Sequence, residues 1–285
     1  MKNDTDLRKA RMKKIICRTI VYLFAFIVAI VAFYPFFVMI ISSTHDNYNI
    51  VAKINVLPGT HFTENFERLT QNIDLLRGIL NSLFLAVTVT IVQNYFTMMA
   101  AYAFSKFEFK GKNFLFSVIL VAMMLPGQLG IIGFYKEIQA MNLLNSYITL
   151  IVPTISNCFA VFFYKQFIDG VLPNELIEAA VMDGCAELKI YHKIVLPLVI
   201  PAFVTQGVMT FIGNWNSYLT PLIILNDKEK FTLPLMIATV RDSTHADYGA
   251  QYVGMLVSIV PMVIVFCFAS KVIMEKISIG AAVKG

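Results

Sequence analysis

The chain has 285 residues, 58% of them hydrophobic and 14% charged, with a mean hydropathy of +0.70. Soluble domains carry about a quarter of their residues as charged side chains, so a water-soluble globular domain is excluded. The net charge of +5 lies in the segments between apolar runs, where it serves topology and points to no nucleic-acid partner.

A spanning helix needs roughly 20 consecutive apolar residues. Six runs free of Asp, Glu, Lys and Arg come close to that length, at 19–41, 79–103, 114–134, 147–164, 198–225 and 251–270. Lipid offers the backbone no hydrogen-bond partner, so such runs cross as helices. The expectation is an all-α integral membrane protein, one transmembrane domain over 1–285, with membrane lipid around it. The first run follows a basic leader (Arg8, Lys9, Arg11, Lys13, Lys14), as a secretory signal would. It is too long for a signal, and no small-x-small cleavage site follows, so it reads as an uncleaved anchor. With a cytoplasmic N-terminus, 16 of the 23 Lys and Arg residues fall on the cytoplasmic side; the opposite orientation inverts that ratio. Both termini are therefore expected in the cytoplasm.

In chain order, the segment 43–77 holds "VLPGTHFTENFERL", which reads as a turn followed by a short surface helix. The second run carries a polar stripe, Thr90, Gln93, Asn94 and Thr97, that suits hydrogen bonding between helices better than a solute path. A short basic loop follows at 104–113. Pro126-Gly127 in the third run predicts a kink, with Gln128 beside it as a candidate pathway residue.

The connection between the fourth and fifth runs, 171–197, is more than a connector. Pro173 suits a first helical position, and Glu175 falls in a first turn, where the helix dipole favours an acid. At 100° per residue Ile177, Ala180, Val181 and Gly184 share one face, with Glu175, Glu178 and Met182 roughly opposite. Gly184 permits a tight turn, and a second helix from about Glu187 to Ile194 leads to Leu196-Pro197. Interfacial helices that rest on lipid usually have a basic polar face and a bulky apolar one. This segment has an acidic face (Glu175, Glu178, Asp183) and small residues at Ala179 and Ala180, features that suit docking to a basic partner.

In the fifth run Gln206, Thr210, Gly213, Asn214 and Ser217 lie within about 100° of one another, away from Phe211, Trp215 and Tyr218. Two readings fit such a stripe: a path for a polar solute, or glue between helices. Uncharged amides and hydroxyls suit a neutral polyol such as a sugar. The segment 226–250 contains "NDKEKFTLP", a turn that returns the chain to the membrane. The tail "ISIGAAVKG" either trails into solvent or meets a partner. Neither the four cysteines nor the four scattered histidines have the spacing of a metal site or a redox motif. No phosphate-binding G-x4-G-K-[ST] loop occurs, so the chain cannot hydrolyse ATP itself. No Asp, Glu, His or Arg lies inside a run, which argues against a proton-driven secondary transporter; sodium sites built from carbonyls and hydroxyls leave that class open.

"EAAVMDGCAELKIYHKIVLP" (residues 178–197) resembles, position for position, the EAA-x3-G-x9-I-x-LP pattern of permease subunits of binding-protein-dependent ABC importers. "NSLFLAVTVT", "AAYAFSKFEFKGK", "FIGNWNSYLTPLIIL" and the tail "GAAVKG" extend the likeness to the carbohydrate-uptake branch, the maltose-type second permeases (MalG-like). Two departures stand out: Cys185-Ala186 where the family has a small hydroxyl residue, and Gly133 where it has a proline. The resemblance implies six transmembrane helices in a bacterial cell membrane and a coupling helix that fits a cleft of the ATPase. On that helix it places Glu175, Glu178, Ala179, Ala180, Asp183 and Gly184, followed by Ile194, Leu196 and Pro197. It further implies a second homologous permease, two ABC ATPase subunits that use ATP and Mg, and an extracellular or periplasmic sugar-binding protein. No cofactor is expected on this chain. Candidate pathway residues are Gln206, Thr210, Asn214, Ser217, Gln128 and Asn216; the last, with Trp215, either faces a neighbouring subunit or marks a helix unwound near Pro221. A non-sugar polar solute is the alternative cargo.

Overall fold

The computed structural model describes residues 2–241 and 246–282, with side chains over 11–241 and 246–271. His245 and the tail residues 283–285 lie outside the described residues, and the side chains of "ISIGAAVKG" lie outside the described ones. The described residues are helical apart from loops and one antiparallel bridge, Arg241 to Ala246.

The helices, in order, are α1 (Lys2–Ser42), α2 (Asn47–Ala52), α3 (Phe62–Asn72), α4 (Leu75–Lys106), α5 (Lys112–Met123), α6 (Ile131–Ala140), α7 (Ile148–Ile151), α8 (Cys158–Val171), α9 (Asn174–Met182), α10 (Glu187–Ile190), α11 (Leu196–Trp215), α12 (Leu219–Ile224), α13 (Leu233–Thr239) and α14 (Tyr248–Ala282). Among the described residues four helices are long and apolar enough to cross a membrane: Arg11–Ser42 of α1, α4, Glu187–Trp215 and Tyr248–Lys271 of α14. Two bent pairs raise the number to six if each counts as one span. The first is α5 with the segment Gly127–Ala140, bent by 92°; the second is Ile148–Ser156 with α8, bent by 43°. The kink expected at Pro126-Gly127 is thus a near right angle. Pro126 has no N–H to continue α5 and sits extended at φ −62° and ψ 122°.

The chain divides into two compact units, Met1–Asn72 with Val240–Leu256, and Ile73–Thr239 with Val257–Gly285. In the first unit α1 presents an apolar surface, with Ile20, Phe24, Phe26, Val31 and Phe33 exposed. Its polar core lies in the segments beyond α1. Asn65 on α3 is fully buried, and its Nδ2 donates to the Ser43 carbonyl at 2.8 Å and the His45 carbonyl at 2.9 Å. Arg68, one turn on, donates from Nε to the buried Asp247 carboxylate at 2.7 Å, and Asp247 Oδ1 accepts the Ala250 N–H at 3.1 Å. Gly249 is required here, since a Cβ would come within 2.6 Å of the Asn65 side chain.

In the second unit α4 packs against α8 and α11. The shared core joins Met98, Ala101 and Tyr102 of α4, Ala160, Tyr164 and Ile168 of α8, and Ile190, Tyr191, Val195 and Val199 before and within α11. Polar residues cross the same contacts. Tyr164 Oη donates to the fully buried Asn94 Oδ1 at 2.8 Å, and Gln93 Nε2 donates to Thr210 Oγ1 at 3.0 Å. Gln93 and Asn94 therefore bond between helices, as the stripe on α4 suggested, whereas Thr90 and Thr97 turn their hydroxyls back to carbonyls of α4 itself. A second cluster seats Trp215, fully buried and stacked on Phe211 at 5.9 Å, with its Nε1 donating to the Ser258 carbonyl. The turn expected from "NDKEKFTLP" continues into α13, whose Leu233, Leu235, Met236 and Ile237 are all buried. Its first N–H is capped from α4 by Ser82 Oγ at 2.7 Å.

The Arg68–Asp247 pair gives a test of the first unit. Arg68→Met leaves a buried carboxylate with no counter-charge, whereas Arg68→Met with Asp247→Asn does not. Breaking such a pair in full burial costs about 3–5 kcal/mol; with Arg68 partly exposed, the single variant is expected to be less stable than the double by about 2 kcal/mol. Melting curves of the two detergent-solubilised variants check this, and equal midpoints would refute it.

Candidate functional site

Two places in the second unit carry the residues singled out in the sequence. The first is the segment 171–197. Pro173 stands at the N-cap of α9 and not inside it, because its extended ψ of 143° precedes the first helical turn. The helix ends in a Schellman closure: the Cys185 N–H reaches the Ala180 carbonyl at 3.0 Å and the Gly184 N–H reaches the Val181 carbonyl at 2.9 Å. Gly184 adopts φ +74°, the left-handed conformation that glycine takes without a Cβ penalty. Nothing lies within 4 Å of where its Cβ would be, so backbone strain, and not crowding, dictates glycine here.

After this elbow α10 starts without a side-chain cap at Ala186, and one turn later the chain widens into a π-helical turn, Tyr191–Val195. The expected second helix therefore exists, but it runs on through the π turn into α11 without ending at Ile194. Ala180 is buried, in the core cluster that also holds Ile168, Leu172 and Ile190. Ile194 and Leu196 pack partly buried against the same core. These residues anchor the segment; they do not form an outer surface. Its outer surface is Glu175, Leu176, Glu178, Ala179, Val181, Met182 and Asp183, all exposed, Met182 to 86%. Glu175, Glu178 and Asp183 form no ion pair among the described residues. Pro197, at the start of α11, is exposed too.

The last twelve residues of α4, Tyr95 to Lys106, hold this segment at both of its ends. Lys106 Nζ donates to the Leu172 carbonyl and, at 2.7 Å, to Asn174 Oδ1 at the start of α9. On the far side Tyr191 Oη donates to the Tyr95 carbonyl at 3.1 Å. His192 Nδ1 lies 2.7 Å from the Leu188 carbonyl, which can only accept. That nitrogen carries the proton, so in the neutral ring Nε2 accepts from Tyr95 Oη at 3.1 Å. Nothing in the sequence singled out Lys106, Tyr95 or His192, because their roles arise only when α4 meets a segment about 70 to 100 residues away.

The second place is a pocket of about 770 Å³, within the range of roughly 300–1,000 Å³ typical of small-molecule sites. It forms where three helical segments break: at Gly127–Gly130, at the 3₁₀ turn Val152–Ser156, and between α11 and α12. Of the candidate pathway residues, Gln128, Asn214 and Ser217 line it. Gln206 and Thr210 do not; both are buried further along α11, Thr210 against Gln93 of α4. Asn216 does not either. It caps α11, and its Nδ2 donates to the Ile212 carbonyl at 3.0 Å and lies 3.2 Å from Met262 Sδ. The helix unwinds at Asn216–Tyr218, three residues before Pro221, so the helical wheel fails there. Tyr218, expected to point away, lines the pocket, as do Thr149, Asn157 and Thr232.

Comparison with known proteins agrees with this architecture. The family described as binding-protein-dependent transport system inner membrane component matches residues 93–278. The chain is 32% identical to the arabinooligosaccharides transport system permease protein AraQ of Halalkalibacterium halodurans, over 92% of this chain and 94% of that protein. It is 31% identical to the sn-glycerol-3-phosphate transport system permease protein UgpE of Escherichia coli, over 82% of this chain and 86% of that protein. Its fold is similar to a chain in the crystal structure of a bacterial ABC transporter involved in the import of the acidic polysaccharide alginate, with a TM-score of 0.74 at 22% identity, covering 90% of this chain and 96% of that one. The long apolar helices and the residues matched lead to one assignment: the chain is a permease subunit, not an enzyme, and belongs to the family of inner membrane components of binding-protein-dependent transport systems.

Proposed function

We propose that this chain is one of two homologous permeases lining the pore of an ATP-driven sugar importer in a bacterial cell membrane. The exposed, unpaired acids around the Gly184 elbow carry this reading. A loop that merely connected two spans would not need a Schellman-closed glycine turn, three unpaired carboxylates and hydrogen bonds from Lys106 and Tyr191 to fix it. In this reading α9 and α10 form the coupling helix, presenting Glu175, Glu178, Ala179 and Asp183 to a cleft in an ATPase subunit. Ala180, Gly184, Ile194, Leu196 and Pro197 hold that surface in place.

The whole chain acts as one transmembrane domain that crosses six times, the two bent pairs each counting once, with both termini and the coupling segment in the cytoplasm. The excess of Lys and Arg on that side supports this orientation. Two ATPase subunits supply ATP and Mg chemistry, and an external binding protein delivers the solute. Sugar passes through the pocket at Gln128, Asn214 and Ser217. It meets Thr210 and Gln206 when the α4–α11 contact opens, while Asn216 shapes the break that forms the pocket. The name of the arabinooligosaccharide relative supports a sugar as cargo.

Two expectations test the coupling segment. At Gly184, a β-branched residue in left-handed backbone costs about 1–2 kcal/mol, whereas asparagine tolerates that conformation. Gly184→Val is expected to reach the membrane yet lose ATPase co-purification and sugar uptake, while Gly184→Asn keeps most of both. Failure of Asn to outperform Val would remove the elbow from the mechanism. Glu178→Lys reverses an exposed charge without touching the core, so membrane insertion is expected to be normal and ATPase retention at moderate salt to fall several-fold. Undiminished retention and uptake in Glu178→Lys would mean that the acidic face does not bind the ATPase.

A further inference from the structure

The first unit closes a loop on itself just past α1. Thr44, two residues beyond that helix, receives the chain again: the Gly59 N–H donates to its Oγ1 at 2.7 Å and the His61 N–H to its carbonyl at 2.9 Å. At the start of α2, Asn47 Oδ1 accepts the N–H of Gly249, the second residue of α14, at 2.9 Å. Both α1 and α14 are long and apolar enough to cross a membrane. The loop is thus tied at its base to the ends of two spanning helices, so it stays near the membrane surface.

Within the loop the usual order of a water-facing segment is reversed. Polar side chains bond inward. Asn49 Nδ2 donates to Asp46 Oδ1, Asn55 Nδ2 to the Asn49 carbonyl at 2.9 Å, and His45 Nε2 to the Leu57 carbonyl at 2.9 Å. Apolar side chains stand outward: Tyr48, Val51, Ile54, Val56 and Leu57 are exposed, Ile54 to 89% and Leu57 to 75%. α2 buries none of its residues. Between Ser43 and Thr60 the one acid is Asp46, already bonded to Asn49, and the one Lys or Arg is the exposed Lys53.

A cluster of apolar side chains held out by a bonded scaffold marks an interaction surface. We infer that this loop is a phospholipid-binding wedge. Its apolar tips enter the acyl region on the membrane face where α1 ends, and Lys53 meets the phosphates above them. The external binding protein proposed above comes and goes, and between visits it would leave these side chains in water. A protein that stayed bound would exchange about one hydrogen bond per 100–200 Å² of contact, and this surface has turned its amides inward. Lipid asks for no such bonds. It suits apolar tips, a tyrosine at headgroup level and a lysine against anionic phosphate. The surface also continues that of α1, whose side chains from 19 to 36 are all uncharged and exposed. Seated in lipid, the loop fixes the end of a helix that the chain itself barely holds.

Photo-crosslinking in the living membrane tests the wedge. Benzoylphenylalanine replaces Ile54, Leu57 or, as a control, Glu67, an exposed acid on α3. Cells are irradiated, and the purified chain is weighed by mass spectrometry. Probes at 54 and 57 are expected to gain phospholipid mass several-fold more often than the probe at 67. A second experiment places the probe at Val56 beside Ile54→Asp and Leu57→Asp. Both side chains are exposed, so the variant is expected to reach the membrane in normal amounts. Lipid adducts at 56 should fall several-fold, because carboxylates resist entry into hydrocarbon. Adducts at 54 and 57 to another protein would assign this face to a partner subunit and overturn the wedge. So would an absence of adducts at both positions, the mark of a loop in water. Equal lipid labelling at 67, or a yield at 56 that the two aspartates leave unchanged, counts against it in the same way.

Discussion

Lipid withholds hydrogen bonds, and the second unit meets that constraint along one uninterrupted helix. Polar side chains on α4 that would be costly in hydrocarbon each serve a different neighbour. From one end to the other, Asn81 donates to the Glu229 and Phe231 carbonyls and Ser82 accepts the first N–H of α13. Gln93 then donates to Thr210, Asn94 accepts from Tyr164, and Lys106 holds the start of α9. Five segments, the turn at 228–231, α13, α11, α8 and the start of α9, are thereby registered against one rod. Such bonds average only about 0.6 kcal/mol each in membranes, so their value lies in fixing positions as much as in stabilising the fold.

A continuous α4 permits discontinuity elsewhere. Interrupted helices leave backbone groups without intrahelical partners, and membranes tolerate them only where protein or a polar cavity surrounds them. The breaks in this unit follow that rule. Asn145, in left-handed backbone at φ 59°, donates its N–H to the Ile224 carbonyl and offers Oδ1 to the Asn226 and Asp227 N–H groups. Asn157 caps α8 through its own side chain. The remaining broken ends, at Gly127–Gly130 and Asn216–Tyr218, adjoin or line the pocket. The cavity and the broken helices are one feature, because each makes the other tolerable.

How much of this could be read in the sequence depends on how local the cause is. The all-helical membrane class follows from apolar run length alone. The elbow at Gly184 is equally local: a left-handed residue after a nine-residue helix needs glycine, and the structure gives it φ +74°. The stripe on α4 was legible because buried amides on one helical face must find partners. Other features depended on contacts that no periodicity encodes. A helical wheel on the fifth apolar run assumes that the helix continues, and it ends at Trp215, so Tyr218 lines a pocket the wheel turned it away from and Asn216 does not line it. Ala180 looked like a small residue kept for a partner, but it is buried in the core of its own chain. Lys106 and Thr232 lay inside stretches read for likeness and for a turn, with no role of their own. One became visible through its bonds to a distant segment, and the other through having no bond.

The same rod connects the proposed coupling surface to the pocket on the proposed solute path. Leu85 and Val89 of α4 line the pocket, while Tyr102 and Lys106 of the same helix meet the segment 171–197. At 1.5 Å per residue, some 17 residues of unbroken helix span about 25 Å between those two regions. A helix bonded at both ends passes on displacement far better than a loop would, because bending it breaks backbone bonds that lipid cannot replace. The opposite route, through α10 and α11, contains the π turn Tyr191–Val195 and the break at Asn216, two places where helical geometry yields. In the proposed coupling role, a push on the segment 171–197 would meet one stiff path and one compliant path to the pocket. Unequal stiffness of this kind would turn a shift at one end into relative motion of α4 and α11 at the other, across the Gln93–Thr210 contact. That contact is a single neutral hydrogen bond, weak enough to break and reform within a transport cycle.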